Sequence, residues 1–303
     1  MGVIVLLLMV FFSGCIHDEL QGNTHDDDEE TEYQIISLGT IEDDAAKYIE
    51  SFQPTADYIA AKLSDEETKY KGKVIIVKTK VDMSELLKNQ ELDLYLDSSF
   101  ATVFVAKGSE AVPFLRRWRQ EGAEYHSVFI VKNDSSINSL DDLVGKTIAF
   151  KDSKSTAGYL LPKAHLIAYL TQNGFNASQS SGEDGDIVYV FSGEDENTAL
   201  WVVEGKVDAG ALTNVNFEEQ PESIKTELKI ISRTIDVPRQ MVSHRSELDL
   251  VLVESIKQIL IDMDKDEEGI EILKNFENTT KYDEIPDKDE LFSTIDEMLT
   301  LLG

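Results

Sequence analysis

The stretch Lys151-Asp152-Ser153-Lys154-Ser155-Thr156-Ala157-Gly158-Tyr159 is where residue types and spacing suggest chemistry. It follows an apolar run at 147–150 and opens a helical pattern. A helix N-terminus leaves several N–H groups without intrahelical partners and carries positive partial charge, so small residues there suit an oxyanion. Ser155 and Thr156 add hydroxyl donors, while Ala157 and Gly158 let a ligand approach the backbone closely. N-capping by Ser155 is the competing account of the same residues. No Gly-Lys-Ser/Thr triplet closes the stretch, which separates it from a nucleotide-binding P-loop. His126, His165 and His244 are scattered, with no His-x-x-x-His spacing and no Ser/His/Asp ordering. A single cysteine, Cys15, excludes an intramolecular disulfide and a thiolate zinc site. No catalytic constellation, metal site or cofactor is expected, and the chain does not read as an enzyme.

The 303 residues hold 58 acidic against 28 basic side chains, a formal net charge of −30. Phosphate backbones attract Lys and Arg, so this balance excludes most nucleic-acid roles. It keeps a protein hydrated and suits a high-salt medium that screens self-repulsion. A hydrophobic fraction of 42% with 13 Phe argues against global disorder. At roughly 100–200 residues per domain, the length allows two compact units.

Residues 3–12 form an apolar run too short to span a bilayer but suited to the h-region of a signal peptide. The run ends in Ser13-Gly14-Cys15, which resembles the lipobox of prokaryotic lipoproteins, with Phe12 where Leu is usual. The resemblance implies a lipidated Cys15 at the start of the mature protein, on the outer face of the cell membrane. Residues 16–32 include Asp26-Asp27-Asp28-Glu29-Glu30 and read as an extended, acidic tether.

From Tyr33 onward the pattern alternates. Strands are expected at 34–38, 74–77 and 92–96, with helices at 42–63 (a second part beginning near Pro54) and 83–87. The pattern restarts at Tyr125, with strands at 128–131, 147–150, 187–191, 208–212 and 229–232 and helices at 156–171 and 197–204. The tail is helical at 248–263, 267–276 and 289–302. Alternating strands and helices predict an α/β protein with mostly parallel sheets flanked by helices. Each half also runs from a helix through a polar turn into a strand that opens with Asp, at Asp93 and at Asp208. That repetition fits two similarly built lobes, one of 33–124 plus 236–303 and the other of 125–235. Arg116, Arg117 and Arg119 are read as one helix face supplying internal salt bridges, and Trp201 as core.

Six segments then come in order: Asp97-Ser98-Ser99-Phe100, Pro113-Phe114-Leu115-Arg116-Arg117-Trp118, Tyr125-His126-Ser127-Val128-Phe129-Ile130-Val131, Ser139-Leu140-Asp141-Asp142-Leu143-Val144-Gly145-Lys146, Ser155-Thr156-Ala157-Gly158-Tyr159-Leu160-Leu161-Pro162, and Glu204-Gly205-Lys206-Val207-Asp208-Ala209-Gly210-Ala211. Together they resemble the phosphate/phosphite/phosphonate-binding subunits of ABC importers, over about residues 34–262. The resemblance implies a two-lobed type 2 periplasmic-binding-protein fold with the ligand cleft between lobes. It also implies a small phosphorus oxyanion as ligand, permease and ATPase subunits as partners, and a monomeric binding protein. Ser155 and Thr156 would clamp the ligand and Tyr125 would close over it, with Ala157, Asp195, Tyr95, Ser98 and Arg239 completing the ligand-binding set. Two departures bear on the ligand: Ala157 replaces a serine, and Asp195 replaces a histidine in Ser192-Gly193-Glu194-Asp195. Both favour an anion less charged than a phosphate dianion. A sensor subunit of the same fold, or a binding protein for an unrelated small solute, are the alternatives.

Overall fold

The computed structural model describes residues 32–174 and 188–303. The apolar run, Cys15 and the acidic stretch Asp26-Asp27-Asp28-Glu29-Glu30 lie outside the described residues. The folded body is Tyr33–Gly303.

Strand β1 (Tyr33–Ile41) leads into α1 (Ala45–Leu63), whose first turn is capped by the Asp44 side chain accepting from the Lys47 N–H. Helix α1 runs unbroken through Pro54, where the sequence suggested a second part. Pro54 faces solvent, and the stripe Phe52, Ala56, Tyr58, Ile59 buried beneath it compensates the lost backbone bond. Strand β2 (Lys69–Val77) packs directly against α1 at Gly72. A Cβ there would lie 2.5 Å from the Ala56 carbonyl carbon, so only glycine permits the approach. Helix α2 (Lys80–Lys88), β3 (Leu94–Asp97), α3 (Ser99–Ser109) and β4 (Val112–Arg119) follow.

The arginines therefore lie on a strand rather than a helix. Alternating burial along β4 and its pairing with β12 and β13 override any helical reading of this segment. Their salt bridges are as expected: Arg116 to Asp283 at 2.8 Å, Arg117 to Glu277 at 2.7 Å.

The first crossover is β5 (Glu124–Tyr125). Then come β6 (Ser127–Lys132), β7 (Thr147–Phe150), a π-helical turn (Thr156–Leu160) that continues as α4 (Leu161–Gln172), β8 (Val188–Phe191), α5 (Asp195–Val203) and β9 (Ala209–Thr213). Two short helices, α6 (Asn214–Glu218) and α7 (Glu222–Lys225), precede β10 (Leu228–Arg233). The return crossover, β11 (Val237–Pro238), pairs with β5 as a two-stranded ribbon. The chain ends with β12 (Met241–His244), α8 (Leu250–Asp262), α9 (Glu267–Asn275), β13 (Thr279–Glu284) and α10 (Lys288–Leu302).

Two separate sheets result, six strands in the order β13-β4-β12-β3-β1-β2 and five in the order β10-β6-β9-β7-β8. Each is mixed: β1 is parallel to β2 and β3, and β7 to β8 and β9, while the other pairings are antiparallel. β6 and β12, the first strand of each sheet reached after a crossover, are antiparallel to both their neighbours. Each lobe has its own apolar core. A third cluster lies between them, formed by Phe100 and Val103 of α3, Tyr125 and Val237 of the ribbon, Ala157 and Leu161 of the other lobe, and Ile295 of α10. Helix α10 packs on both α3 and α4 and so ties the lobes together.

Candidate functional site

A cavity of about 470 Å³ lies between the lobes. One wall is built from Ile41, Glu42 and Asp43 past the end of β1, Lys78 and Lys80 past β2, and Asp97 and Ser98 at the end of β3. Ser153 and Lys154, between β7 and the π turn, form the opposite wall. The carboxyl ends of parallel strands are where open α/β sheets bind ligands, because loops and helix N-termini converge there.

The lobes touch across this cleft. The Thr156 hydroxyl donates to Ser98 Oγ at 3.1 Å, and the Tyr125 phenol lies beside Thr156, which lowers its pKa against the larger upward push of burial. The Arg239 guanidinium lies 5.4 Å from the Tyr125 ring centroid, a cation–π geometry. Two of its nitrogens, Nε and Nη2, are buried without a protein partner. Burial pushes the Tyr125 phenol up and the Arg239 guanidinium down from their ordinary values. At the cleft's mouth Lys154 meets Asp43 at 2.7 Å; both are largely exposed, so the pair contributes little to stability.

The π turn explains Ser155. Its Oγ accepts from the Gly158 N–H at 3.0 Å, its own N–H donates to Asp152 at 3.0 Å, and its carbonyl accepts from the Leu160 N–H at 3.0 Å. The capping account is thus met, and the hydroxyl proton is still left to donate to a ligand. A Cβ on Gly158 would sit 2.5 Å from Lys151 Cβ and 2.9 Å from Ser155 Oγ, so the turn depends on glycine.

The electrostatics of the cleft are balanced rather than positive. Asp97 accepts from the Ser98 N–H at 2.6 Å and more weakly from the Ile41 N–H at 3.4 Å, yet burial pushes its carboxyl above the ordinary range. Glu42, bonded by the Tyr48 phenol, is pushed up by burial as well. Lys80 is lowered by burial and lies 5.3 Å from the Phe104 ring centroid. Among the described residues, neither Lys78 nor Lys80 has a carboxylate within salt-bridge distance.

Of the residues the sequence suggested, Ser98 lines the cavity, and Thr156, Tyr125 and Arg239 form one connected chain behind it. Ser155 caps the adjoining turn. Ala157 is 7% exposed, within the cluster between the lobes, and its carbonyl accepts from Ser127. Tyr95 is fully buried beneath the site, where burial and then the charge of Asp97 push its phenol well up. Asp195 does not line the cavity: Lys151 at 3.0 Å and Asn216 at 2.5 Å hold its carboxylate inside the second lobe. The acids that face the cleft are Glu42, Asp43 and Asp97, which the sequence reading did not select. Their shared position just past the ends of β1 and β3 is the signal that marks them. Among the described residues no group of three or more His, Cys, Asp or Glu is arranged to hold a metal ion, and no helix is long and apolar enough to cross a membrane.

Two lobes, each with a mixed sheet flanked by helices and joined by two crossovers around a cleft, define the type 2 fold of periplasmic binding proteins. A family model described as "ABC transporter, phosphonate, periplasmic substrate-binding protein" matches residues 40–289, and the chain belongs to that family. It is similar to the phosphonates-binding periplasmic protein of Escherichia coli K12, 29% identical over 158 residues, which is 50% of this chain and 44% of that protein. It is also similar to the phosphate-import protein PhnD of Mycolicibacterium smegmatis, 32% identical over 127 residues, 39% of this chain and 37% of that protein. The aligned stretches span less than half the length of either relative. Among solved structures, XAC2383 from Xanthomonas citri, bound to chloride, superimposes with a TM-score of 0.74 at 27% identity, covering 88% of this chain and 98% of that one. The same Xanthomonas protein has also been solved bound to ATP.

Proposed function

We propose that this protein is the extracytoplasmic solute-binding lipoprotein of an ABC importer and captures a small phosphorus oxyanion: a phosphonate, phosphite or phosphate. The observation that carries the reading is the Thr156–Ser98 hydroxyl bond, with Tyr125 beside it, which spans the lobes beside the lysines of the cleft. Ammonium groups without a carboxylate partner gain from an acceptor, and an oxyanion supplies one that the Thr156 and Ser98 hydroxyls could turn to meet. The family supports a transport role, and phosphoryl compounds are what the names of its relatives describe.

We take the lobes as 33–124 plus 236–303 and 125–235, with α10 lying over both. Lipidation of Cys15 and the acidic tether 16–32 would hold the monomer at the outer face of the membrane, next to its permease and ATPase. The preference for a partly protonated anion rests on Glu42 and Asp97, not on Asp195, whose charge Lys151 balances. A carboxylate at the cleft accepts from a protonated phosphoryl oxygen and repels a bare dianion, and burial, which pushes both acids up, eases the sharing of that proton.

Calorimetric titration with phosphate, phosphite, methylphosphonate and sulfate tests the ligand class. Binding to a phosphorus oxyanion with sulfate excluded or weaker is expected; silence with all four overturns the reading. Stimulation of a co-reconstituted permease–ATPase by the loaded protein tests the partner assignment.

A further inference from the structure

A second cavity, of about 560 Å³, adjoins the cleft. Lys80 and Phe104 line both cavities, and beyond them the second is bounded by Tyr159, Leu160 and Lys163 of the other lobe and by Leu299 of α10. Lys163 is only 7% exposed. Its ammonium donates to the Tyr159 hydroxyl at 2.8 Å and lies 5.0 Å from the Tyr159 and Tyr189 ring centroids. Among the described residues, no carboxylate lies within salt-bridge distance of it. Lys151, Lys225 and Lys257, all more exposed, each meet two carboxylates. In a chain with a net charge of −30, carboxylates are abundant, yet among the described residues this ammonium meets a phenol and ring faces. Burying a cation with so little compensation is costly, and the cost falls when an anion arrives.

We infer that the bound compound carries two anionic ends, a phosphoryl group at Thr156 and Ser98 and a second acidic group that reaches Lys163 past Lys80 and Phe104. The inference rests on the phosphoryl reading above and narrows it. Thr156 and Lys163 are seven residues apart on one continuous helical column, about 10 Å along its axis. A methylphosphonate-sized ligand cannot touch both. A chain of a few methylenes or a small ring fits between them, against the apolar faces of Phe104 and Leu160. Lys80, at the junction and without a carboxylate partner, balances the charge midway. The ligand class is an organophosphorus anion with a second phosphoryl or carboxylate group at its far end.

Calorimetry with methylphosphonate and with butane-1,4-bisphosphonate as probes tests this on the wild-type chain, Lys163→Gln and Lys163→Arg. The wild type should bind the bisphosphonate at least tenfold more tightly than methylphosphonate. Lys163→Gln should erase that advantage while holding methylphosphonate to within twofold, and Lys163→Arg, which keeps the cation, should retain most of it. Equal affinities in the wild type, or an advantage that survives in Lys163→Gln, overturn the two-ended ligand and leave the phosphoryl reading standing. Loss of the advantage in Lys163→Arg as severe as in Lys163→Gln assigns Lys163 to packing and overturns it too. Silence of the wild type with both probes overturns the phosphoryl reading and this inference with it.

Discussion

Replacing Thr156 with valine isolates the hydroxyl on which the proposed site turns. Valine keeps the β-branched shape, so the buried side chain still fits. What goes is the 3.1 Å bond to Ser98 and the polar contact with Tyr125. In the free protein this removes a neutral hydrogen bond between the lobes, a net loss of about 0.5–1.5 kcal/mol, or a few degrees in Tm for a body of this size. If the hydroxyl also donates to a bound oxyanion, the loss is that of a charge-assisted bond, about 1.5–3 kcal/mol, and affinity falls roughly ten- to a hundredfold. The two cases separate in a double-mutant cycle with Ser98→Ala. A hydroxyl that serves only the inter-lobe bond gives a coupling equal to the stability loss and leaves methylphosphonate affinity within a few fold. A hydroxyl that binds ligand costs affinity even when Ser98 is already gone. Calorimetry and thermal melts on the four proteins decide it. Wild-type affinity in Thr156→Val would falsify the assignment of the clamp.

Asp97→Asn tests the buried carboxyl. Its folded pKa lies above the unfolded one, so its stabilising contribution is present at acid pH and is lost as pH rises through the folded value. Thermal melts should therefore show the variant gaining on the wild type at pH 8, with the difference shrinking toward pH 4; a pH-independent difference contradicts the burial argument. Gly72→Ala drives a Cβ to 2.5 Å from backbone atoms of α1, which cannot step aside, and should cost about 1–3 kcal/mol in urea unfolding. A loss below about 0.5 kcal/mol would mean α1 shifts freely over the sheet. Cys15→Ser should release the protein into the medium or periplasm; retention on membranes through a high-salt wash rules out the lipid anchor.

Much of the fold was legible because its signals are local. Strands at 147–150 and 208–212 are short apolar runs, and the structure puts them at Thr147–Phe150 and Ala209–Thr213. The repeated Asp that opens a strand in each half proves to have one job. Asp93 accepts from the Ser37 N–H at 2.9 Å and Asp208 from the Thr147 N–H at 2.9 Å, each tying its strand to the parallel neighbour. What local pattern could not supply was the partner of a segment. Strand β4, with its three arginines, becomes a strand because β12 and β13 flank it from more than a hundred residues away. The unbroken course of α1 through Pro54 likewise depends on the sheet it covers, not on its own propensity.

The site divides along the same line. Ser155, Thr156 and Gly158 could be picked out because a strand-to-helix junction advertises itself in a handful of consecutive residues. Glu42, Lys80 and Asp97 are ordinary charged residues after β1, at the start of α2 and at the end of β3, and their meeting is a consequence of the strand order β2-β1-β3. The family resemblance puts Asp195 at the ligand, where it stands in place of a histidine. The fold instead gives that carboxylate to Lys151, a residue at the start of the same stretch that holds the clamp. The charge that matters to an incoming anion is therefore set by sheet topology. In a cleft with three acids and three lysines, burial pushes two of the acids up, and the proposed anion would depend on the lysines and on protons shared with those carboxyls. Such a site would select by hydrogen-bond geometry and proton content more than by net attraction, which is the way open to a strongly acidic protein if it captures an anion.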